Sequence, residues 1–302
     1  MAVSFCGLEL EHPVINGSGT FDAIAARRVF GDALLAAFPF SAFVSKTITL
    51  APRDGNPPPR LYEAPAGMIN SIGLPNKGLD GYLEHDLPEL ARLPVPLITN
   101  VMGSSAEELA ELVTACDARP EIAAIELNVS CPNVRTGLDI GADPRELRAV
   151  VAAVRPATGK PLIVKLTPNT SDVAACAAAA EEAGADAVSL INTLRAMAIV
   201  GGEPWLGAGT GGLSGPAVRA VALAQVAAVV RRVSIPVVGM GGVQTAAHAR
   251  QLLDTGATLV AVGTETFRDP AAGARIAEGL HANSAKSGGF AGQVSGTLRE
   301  AP

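Results

Sequence analysis

Eight short, near-continuous apolar runs alternate with eight amphipathic stretches along the 302-residue chain, and this alternation restricts the fold more than any other feature. The runs are PVING (13–17), AFVSKT (42–47), PLITNV (96–101), AAIELNVS (123–130), PLIVKL (161–166), AVSLIN (187–192), PVVGMG (236–241) and TLVAVGT (258–264). They are rich in β-branched residues and lack strict polar alternation, the pattern of parallel strands buried on both faces. Helical spacing fills 23–37, 79–92, 105–116, 143–155, 171–183, 216–232, 244–255 and 270–281. Ser104-Ser105 before Glu107-Glu108, Asp143-Pro144, and Ser214-Gly215-Pro216 are helix-start signals. Eight strands alternating with eight helices predict an α/β fold, a (β/α)8 TIM barrel, with residues 1–302 as a single domain and a polar tail from about 282. The competing open doubly wound sheet usually has fewer strands.

Composition narrows the function classes. With 48% hydrophobic and 17% charged residues the chain reads as globular, and with 4% aromatics its core must be mostly Ala, Val, Leu and Ile. A net charge of −6 without a dense basic patch argues against a nucleic-acid partner, since phosphate neutralisation needs clustered Lys and Arg. No apolar run approaches the ~18 residues of a membrane span, and MAVSFCGLELEHP lacks the regions of a signal peptide, so no membrane association and a cytoplasmic location are expected. Cys6, Cys116, Cys131 and Cys176 lie far apart without a CxxC pair, which predicts neither a disulfide framework nor an iron–sulfur cluster on this chain. His12, His85, His248 and His281 are scattered, and no metal site is expected.

In barrels the reactive groups sit at the C-terminal ends of strands. Here those ends carry Ser18-Gly19, Lys46-Thr47, Asn100, Asn128-Val129-Ser130-Cys131, Lys165, Asn192-Thr193, Gly241-Gly242 and Gly263-Thr264. Asparagine offers paired donors and acceptors to a planar heterocycle, so the set reads as a polar cage for a ring with amide edges. The last two ends follow strands seven and eight, where barrels commonly hold phosphate on backbone N–H groups; two ordinary tight turns are the alternative. GAGTGG (207–212) has the letters of a dinucleotide fingerprint but follows no strand, and is read as a flexible loop. LAPRDGNPPPRLYEAPAG (50–67) is read as an irregular segment over the mouth of the barrel. Cys131 follows a strand and precedes Pro132, on a top-face loop. A free thiol, with a pKa of ~8.5, can serve as an acid–base group, while a small buried hydrophobe is the bland reading.

KTITLAPRDGNPPPRLYEAPAGMINSIGLPN, ELNVSCPNV, VKLTPN, GTGGLSGPAVRAVAL, IPVVGMGGV and VAVGTETF, in that order between about Pro13 and Pro270, resemble class 1 dihydroorotate dehydrogenases. Within that class the chain is most similar to the NAD-linked branch (1B). The resemblance implies FMN at the barrel mouth, with Gly241, Gly242, Gly263 and Thr264 at its phosphate. It implies Ser18, Gly19, Lys46, Thr47, Asn100, Asn128, Lys165, Ile191, Thr193 and Gly215 as further flavin contacts. Lys46, Asn70, Gly73, Leu74, Asn128, Asn133, Asn192 and Thr193 resemble the substrate-binding set, and Cys131 the catalytic base. The implied reaction oxidises (S)-dihydroorotate to orotate in pyrimidine biosynthesis. Cys131 takes a proton from C5, and a hydride leaves C6 for the flavin. The branch also implies a homodimer and an electron-transfer subunit that carries FAD and a 2Fe–2S cluster and passes electrons to NAD. Arg195, Val200 and the tail beyond His281 depart from the family's pattern. The rival readings are a fumarate-linked class 1A homodimer, a related flavin barrel acting on dihydropyrimidines, and a non-redox phosphate-binding barrel.

Overall fold

The computed structural model describes residues 2–129 and 140–287. All eight apolar runs are strands: β1 (Val14–Asn16), β2 (Phe43–Val44), β3 (Leu97–Val101), β4 (Ile122–Asn128), β5 (Leu162–Lys165), β6 (Ala187–Leu190), β7 (Val237–Met240) and β8 (Leu259–Val262). They form one sheet in the order β1-β8-β7-β6-β5-β4-β3-β2, every pair parallel, so chain neighbours are sheet neighbours and the sheet curls nearly shut. The architecture is the expected (β/α)8 barrel.

Helices occupy the predicted intervals, and their starts show why. Asp22, Ser105, Asp143, Asp172 and Thr245 each accept a hydrogen bond from a backbone N–H of the first turn, satisfying donors that the helix itself leaves open. Glu108 reaches back to Ser104 N at 2.8 Å, a return contact of the capping-box kind. Two intervals are less regular than their spacing suggests. The 23–37 stretch breaks at Gly31 into Ala23–Phe30 and Ala33–Ala36. The 79–92 stretch divides into Gly78–Gly81, a π turn at Tyr82–Asp86 and Leu87–Leu90. The last helix runs from Ala272 past position 282 to Ser287. Among the described residues no helix is long and apolar enough to cross a membrane.

The strands alternate between two cores, as their period of two requires. Leu97, Ile125, Leu162, Val188, Val237, Val260 and their outward neighbours pack under the helices. Ile15, Ala42, Val44, Ile98, Ala124, Ile163, Ala187, Val238, Leu259 and Ala261 form a separate cluster inside the barrel with Phe5 and Leu10. Those last two belong to an antiparallel hairpin, Val3–Phe5 with Leu8–Leu10, that plugs the N-terminal end of the barrel. Two residues further along the same inward register, Asn100, Glu126, Lys165 and Ser189 replace the apolar layer with a polar one. The polar layer lies toward the C-terminal ends.

At the seam between β1 and β2 the Asn16 side chain bridges the two strands. Asn16 is fully buried; its Nδ2 donates to Val44 O at 2.8 Å, and its Oδ1 accepts from Val44 N at 2.8 Å. The carboxamide thus imitates a peptide group at the seam. Ser41 N adds a bond to Val14 O at 3.1 Å.

Above the mouth lies a second sheet that corrects two sequence expectations. Leu61–Ala64, Gly67–Asn70, Leu194–Ala196 and Gly211–Ser214 form an antiparallel sheet. The 50–67 segment is therefore not irregular throughout, because Leu61–Ala64 is a strand that hairpins onto Gly67–Asn70. GAGTGG is a loop only in its first four residues, since Gly211 and Gly212 lie in a strand hydrogen-bonded on both sides. Their glycines serve close approach: a Cβ on Gly212 would lie 1.9 Å from Thr193 Oγ1, and one on Gly211 2.4 Å from Asn70 O.

Candidate active site

The C-terminal strand ends surround a cavity of about 870 Å³, a size suited to a cofactor together with a small substrate. Ser18 and Gly19 reach it from the end of β1, Lys46 and Thr47 from β2, Asn128 from β4 and Lys165 from β5. Ile191, Asn192 and Thr193 follow β6, whose last residue joins Ile191 through a cis peptide. Gly241 and Gly242 follow β7, and Gly263 and Thr264 follow β8. The second sheet and its adjoining turns add Asn70, Gly73, Leu74 and Gly215. Of the described candidates only Asn100 is off the wall, fully buried at the level of Glu126. Cys131 and Asn133 lie outside the described residues.

The wall is polar where the strands end. Asn128 Nδ2 donates to Thr47 Oγ1 at 3.3 Å, and Ser18 Oγ donates to Ser45 O at 2.8 Å. Thr264 Oγ1 donates to Ser214 Oγ at 2.8 Å, and Asn70 Nδ2 donates to Gly212 O at 3.3 Å. Asn169 Nδ2 holds the backbone O of Thr193 at 2.9 Å. Gly73 and Leu74 both have positive φ, 76° and 56°, so the chain turns sharply where it meets the cavity. Asn76 holds that turn through Leu74 O at 2.9 Å and anchors Gly78 N at 2.8 Å.

Two observations bear on the ligand. Lys165 is 5% exposed and lines the cavity, and its side chain makes no hydrogen bond or ion pair among the described residues. An amine on the cavity wall with no protein partner beside it fits a ligand that brings acceptor atoms or negative charge. Lys46, exposed at the mouth, adds a second amine. At the other end, Gly241 and Gly242 carry φ of +134° and +69°. A Cβ on Gly242 would come within 2.7 Å of Arg219 Cβ and 2.9 Å of Gly215 O. At Gly263 a Cβ would meet only Thr20 Cγ2, at 3.7 Å, and would stand beside the cavity. This bare backbone rim suits an approaching phosphate better than a side-chain contact.

Several lining or supporting residues escaped the sequence reading. Glu126 and Ser189 join Asn100 in a buried network beneath the floor, and Met68, Met240, Gln244 and Glu265 line the walls. Glu126 had one visible signal, a lone acidic residue in the apolar run AAIELNVS. The described cysteines lie elsewhere. Burial pushes the Cys116 thiol up to about 12, and burial with nearby Asp186 pushes Cys6 up to about 11. Cys176 is shifted in the same direction, again mainly by burial.

Residues 1–283 match the family model described as dihydroorotate dehydrogenase. A protein of Pelobacter propionicus named dihydroorotate dehydrogenase B (NAD(+)), catalytic subunit, is 47% identical over 283 residues, covering 93% of this chain and 92% of that protein. Its namesake in Trichlorobacter lovleyi is likewise 47% identical, over the same shares. The namesake in Geobacter sulfurreducens is 44% identical over 95% of this chain and 94% of its own.

Proposed function

The chain belongs to the dihydroorotate dehydrogenase family, a family of oxidoreductases, and from that premise we propose that it oxidises (S)-dihydroorotate to orotate as an FMN-dependent catalytic subunit. The observation that carries the reading is the convergence of seven strand ends on one cavity lined by a lysine whose side chain has no hydrogen bond or ion pair among the described residues.

Gly241, Gly242, Gly263 and Thr264 would hold the FMN phosphate, and Ser18, Gly19, Thr47, Asn100, Asn128, Ile191, Thr193 and Gly215 the rest of the cofactor. Lys165 would offer a cation to the negative charge that the reduced cofactor carries. When bound, FMN supplies the acceptor for the hydride that leaves C6 of the substrate. Lys46 and the backbone of the Gly73-Leu74 turn offset the substrate carboxylate, while Asn70, Asn128, Asn133, Asn192 and Thr193 read the pyrimidine's alternating N–H and C=O edge. Cys131 takes the proton from C5, so that loss of a proton and a hydride leaves the C5=C6 double bond.

The relatives' names, with NAD(+) and a catalytic subunit, support electron delivery to NAD through a partner subunit. FAD and a 2Fe–2S cluster belong on that partner in this reading. Cys116 and Cys176 are buried as packing groups under the helices and are poor cluster ligands. A cytoplasmic homodimer completes the proposal. Anaerobic addition of dihydroorotate to the purified protein tests it: flavin absorbance is expected and should bleach with one equivalent. A colourless protein that takes up no FMN would refute the reading. Steady-state assays with NAD, fumarate and a quinone test the acceptor. The isolated chain should reduce artificial dyes but turn over poorly with NAD; efficient fumarate turnover would move it to the other branch.

A further inference from the structure

We propose that Glu126 is a positioning residue of the cofactor site: its carboxyl group fixes the orientation of the Asn100 carboxamide, so that Asn100 Oδ1 is the acceptor left for the ligand. The proposal rests on the FMN reading above and assigns a function to a residue that the reading leaves unused.

Glu126 is 4% exposed and points into the barrel from β4. Its Oε2 accepts from Asn100 Nδ2 at 2.5 Å, and its Oε1 accepts from Ser189 Oγ at 2.7 Å. It is not the counter-ion of Lys165, because no ion pair joins them within 4.0 Å. The carboxyl group therefore spans the barrel interior from β3 to β6, with both oxygens acting as acceptors.

That arrangement decides which end of Asn100 remains available. A carboxamide has one donor end and one acceptor end, and the Glu126 oxygen claims the donor end. Flipping the amide would set Asn100 Oδ1 against a carboxyl oxygen. The backbone is held as well, since Asn100 N donates to Ser45 Oγ at 3.0 Å. Asn100 Oδ1 is then buried with no hydrogen-bond partner among the described residues. Leaving a buried acceptor unsatisfied is costly, and a donor from the cofactor would relieve the cost.

Glutamine at 126 keeps the shape but adds a donor, which can occupy Asn100 Oδ1 or let the carboxamide flip. Apoprotein titrated with FMN should show Glu126→Gln weakening the dissociation constant about tenfold, equivalent to about 1.4 kcal/mol. In an Asn100→Ala background the same substitution should change affinity less than about twofold. Equal weakening in both backgrounds overturns the proposal, as does wild-type affinity in Glu126→Gln. A flavin midpoint potential that shifts at unchanged affinity, and still shifts in Asn100→Ala, would make Glu126 a distant charge and likewise overturn it. If Glu126→Gln does not fold, Ser189→Ala decides: a loss of about threefold that vanishes without Asn100 supports positioning, and an equal loss with or without it refutes positioning. Wild-type apoprotein that takes up no FMN defeats the cofactor reading itself, a result distinct from all of these.

Discussion

Replacing Asn16 with alanine should open the seam of the barrel, and the cost follows from its hydrogen bonds. The substitution removes both bonds to Val44, leaving a buried N–H and a buried C=O without partners at the edge of β2. Gly17 O also loses the Asn16 donor but keeps Thr20 Oγ1 at 2.7 Å, so it contributes little. Two orphaned backbone groups at about 1–3 kcal/mol each give a loss of about 2–6 kcal/mol. For a chain of this size that lowers the thermal midpoint by about 4–12 °C, at roughly 2 °C per kcal/mol. Calorimetry of the apo and FMN-loaded protein measures it, with a urea titration checking that the slope is unchanged. Asn16→Asp sharpens the test. At neutral pH it keeps an acceptor for Val44 N but faces Val44 O with a second acceptor; once protonated, the carboxyl can donate there. Its folded pKa is raised, so the compensating stability is present below the unfolded value of about 3.9 and is lost as pH rises through the folded value. Measured against wild type at each pH, Asn16→Asp should recover in acid while Asn16→Ala should not. A midpoint drop under about 2 °C for Asn16→Ala, or parallel pH profiles for the two variants, would refute the seam argument.

Gly242→Ala should weaken FMN binding at least tenfold, because the added Cβ meets Arg219 Cβ and Gly215 O at a φ of +69°; unchanged FMN content after dialysis would count against a phosphate rim there. Cys131→Ala should nearly abolish flavin reduction by dihydroorotate with FMN retained, and Cys131→Ser should keep slow activity that rises with pH, as read by stopped-flow absorbance. Wild-type rates of flavin reduction in Cys131→Ala would remove Cys131 as the base. Asp117 and Glu181 are held below the usual carboxylate range, chiefly by hydrogen bonds from Thr158 and Ser234, and Glu108 chiefly by Ser104. Their stabilisation is complete above the unfolded carboxylate pKa and is lost as pH falls through the lower folded values, so the urea midpoint should decline below about pH 4, less steeply in Thr158→Ala.

The barrel was legible because its signals are local and repeated. A strand buried on both faces must be apolar along its length, and a capped helix announces its start, so PLIVKL and Asp143-Pro144 could be placed without knowing their neighbours. The strand-end rule then put Lys46, Asn128, Lys165 and Gly241 at one end of the molecule, where the structure gathers them around one cavity. The π turn at Tyr82 was not legible. The buried ring and its hydroxyl bond to Thr99 at 2.8 Å depend on a strand that only the fold brings there. Nor was the duty of Asn16, a polar strand-end residue like several others until β2 is set beside it.

The second sheet shows why the rest was hidden. Its four strands span three or four residues each, too short for a period to declare itself. Met68 and Ser214 pair across a gap of 146 residues, so nothing within a local window selects their register. Its defining residues are also misleading in isolation. Gly211 and Gly212 sit in a spelling shared with phosphate-binding loops, yet what they provide is absence of bulk, where Asn70 O and the Thr193 side chain come closest. The same requirement holds at Gly67, where a Cβ would lie 2.0 Å from Ser214 O. Glycine is therefore needed at three positions of a sheet that glycine ordinarily weakens. That couples the sheet to the site: Asn70 and Thr193, both candidate substrate contacts, are positioned by how closely these strands approach. Any side chain larger than hydrogen at Gly212 would push Thr193 aside and disturb the site without touching the barrel.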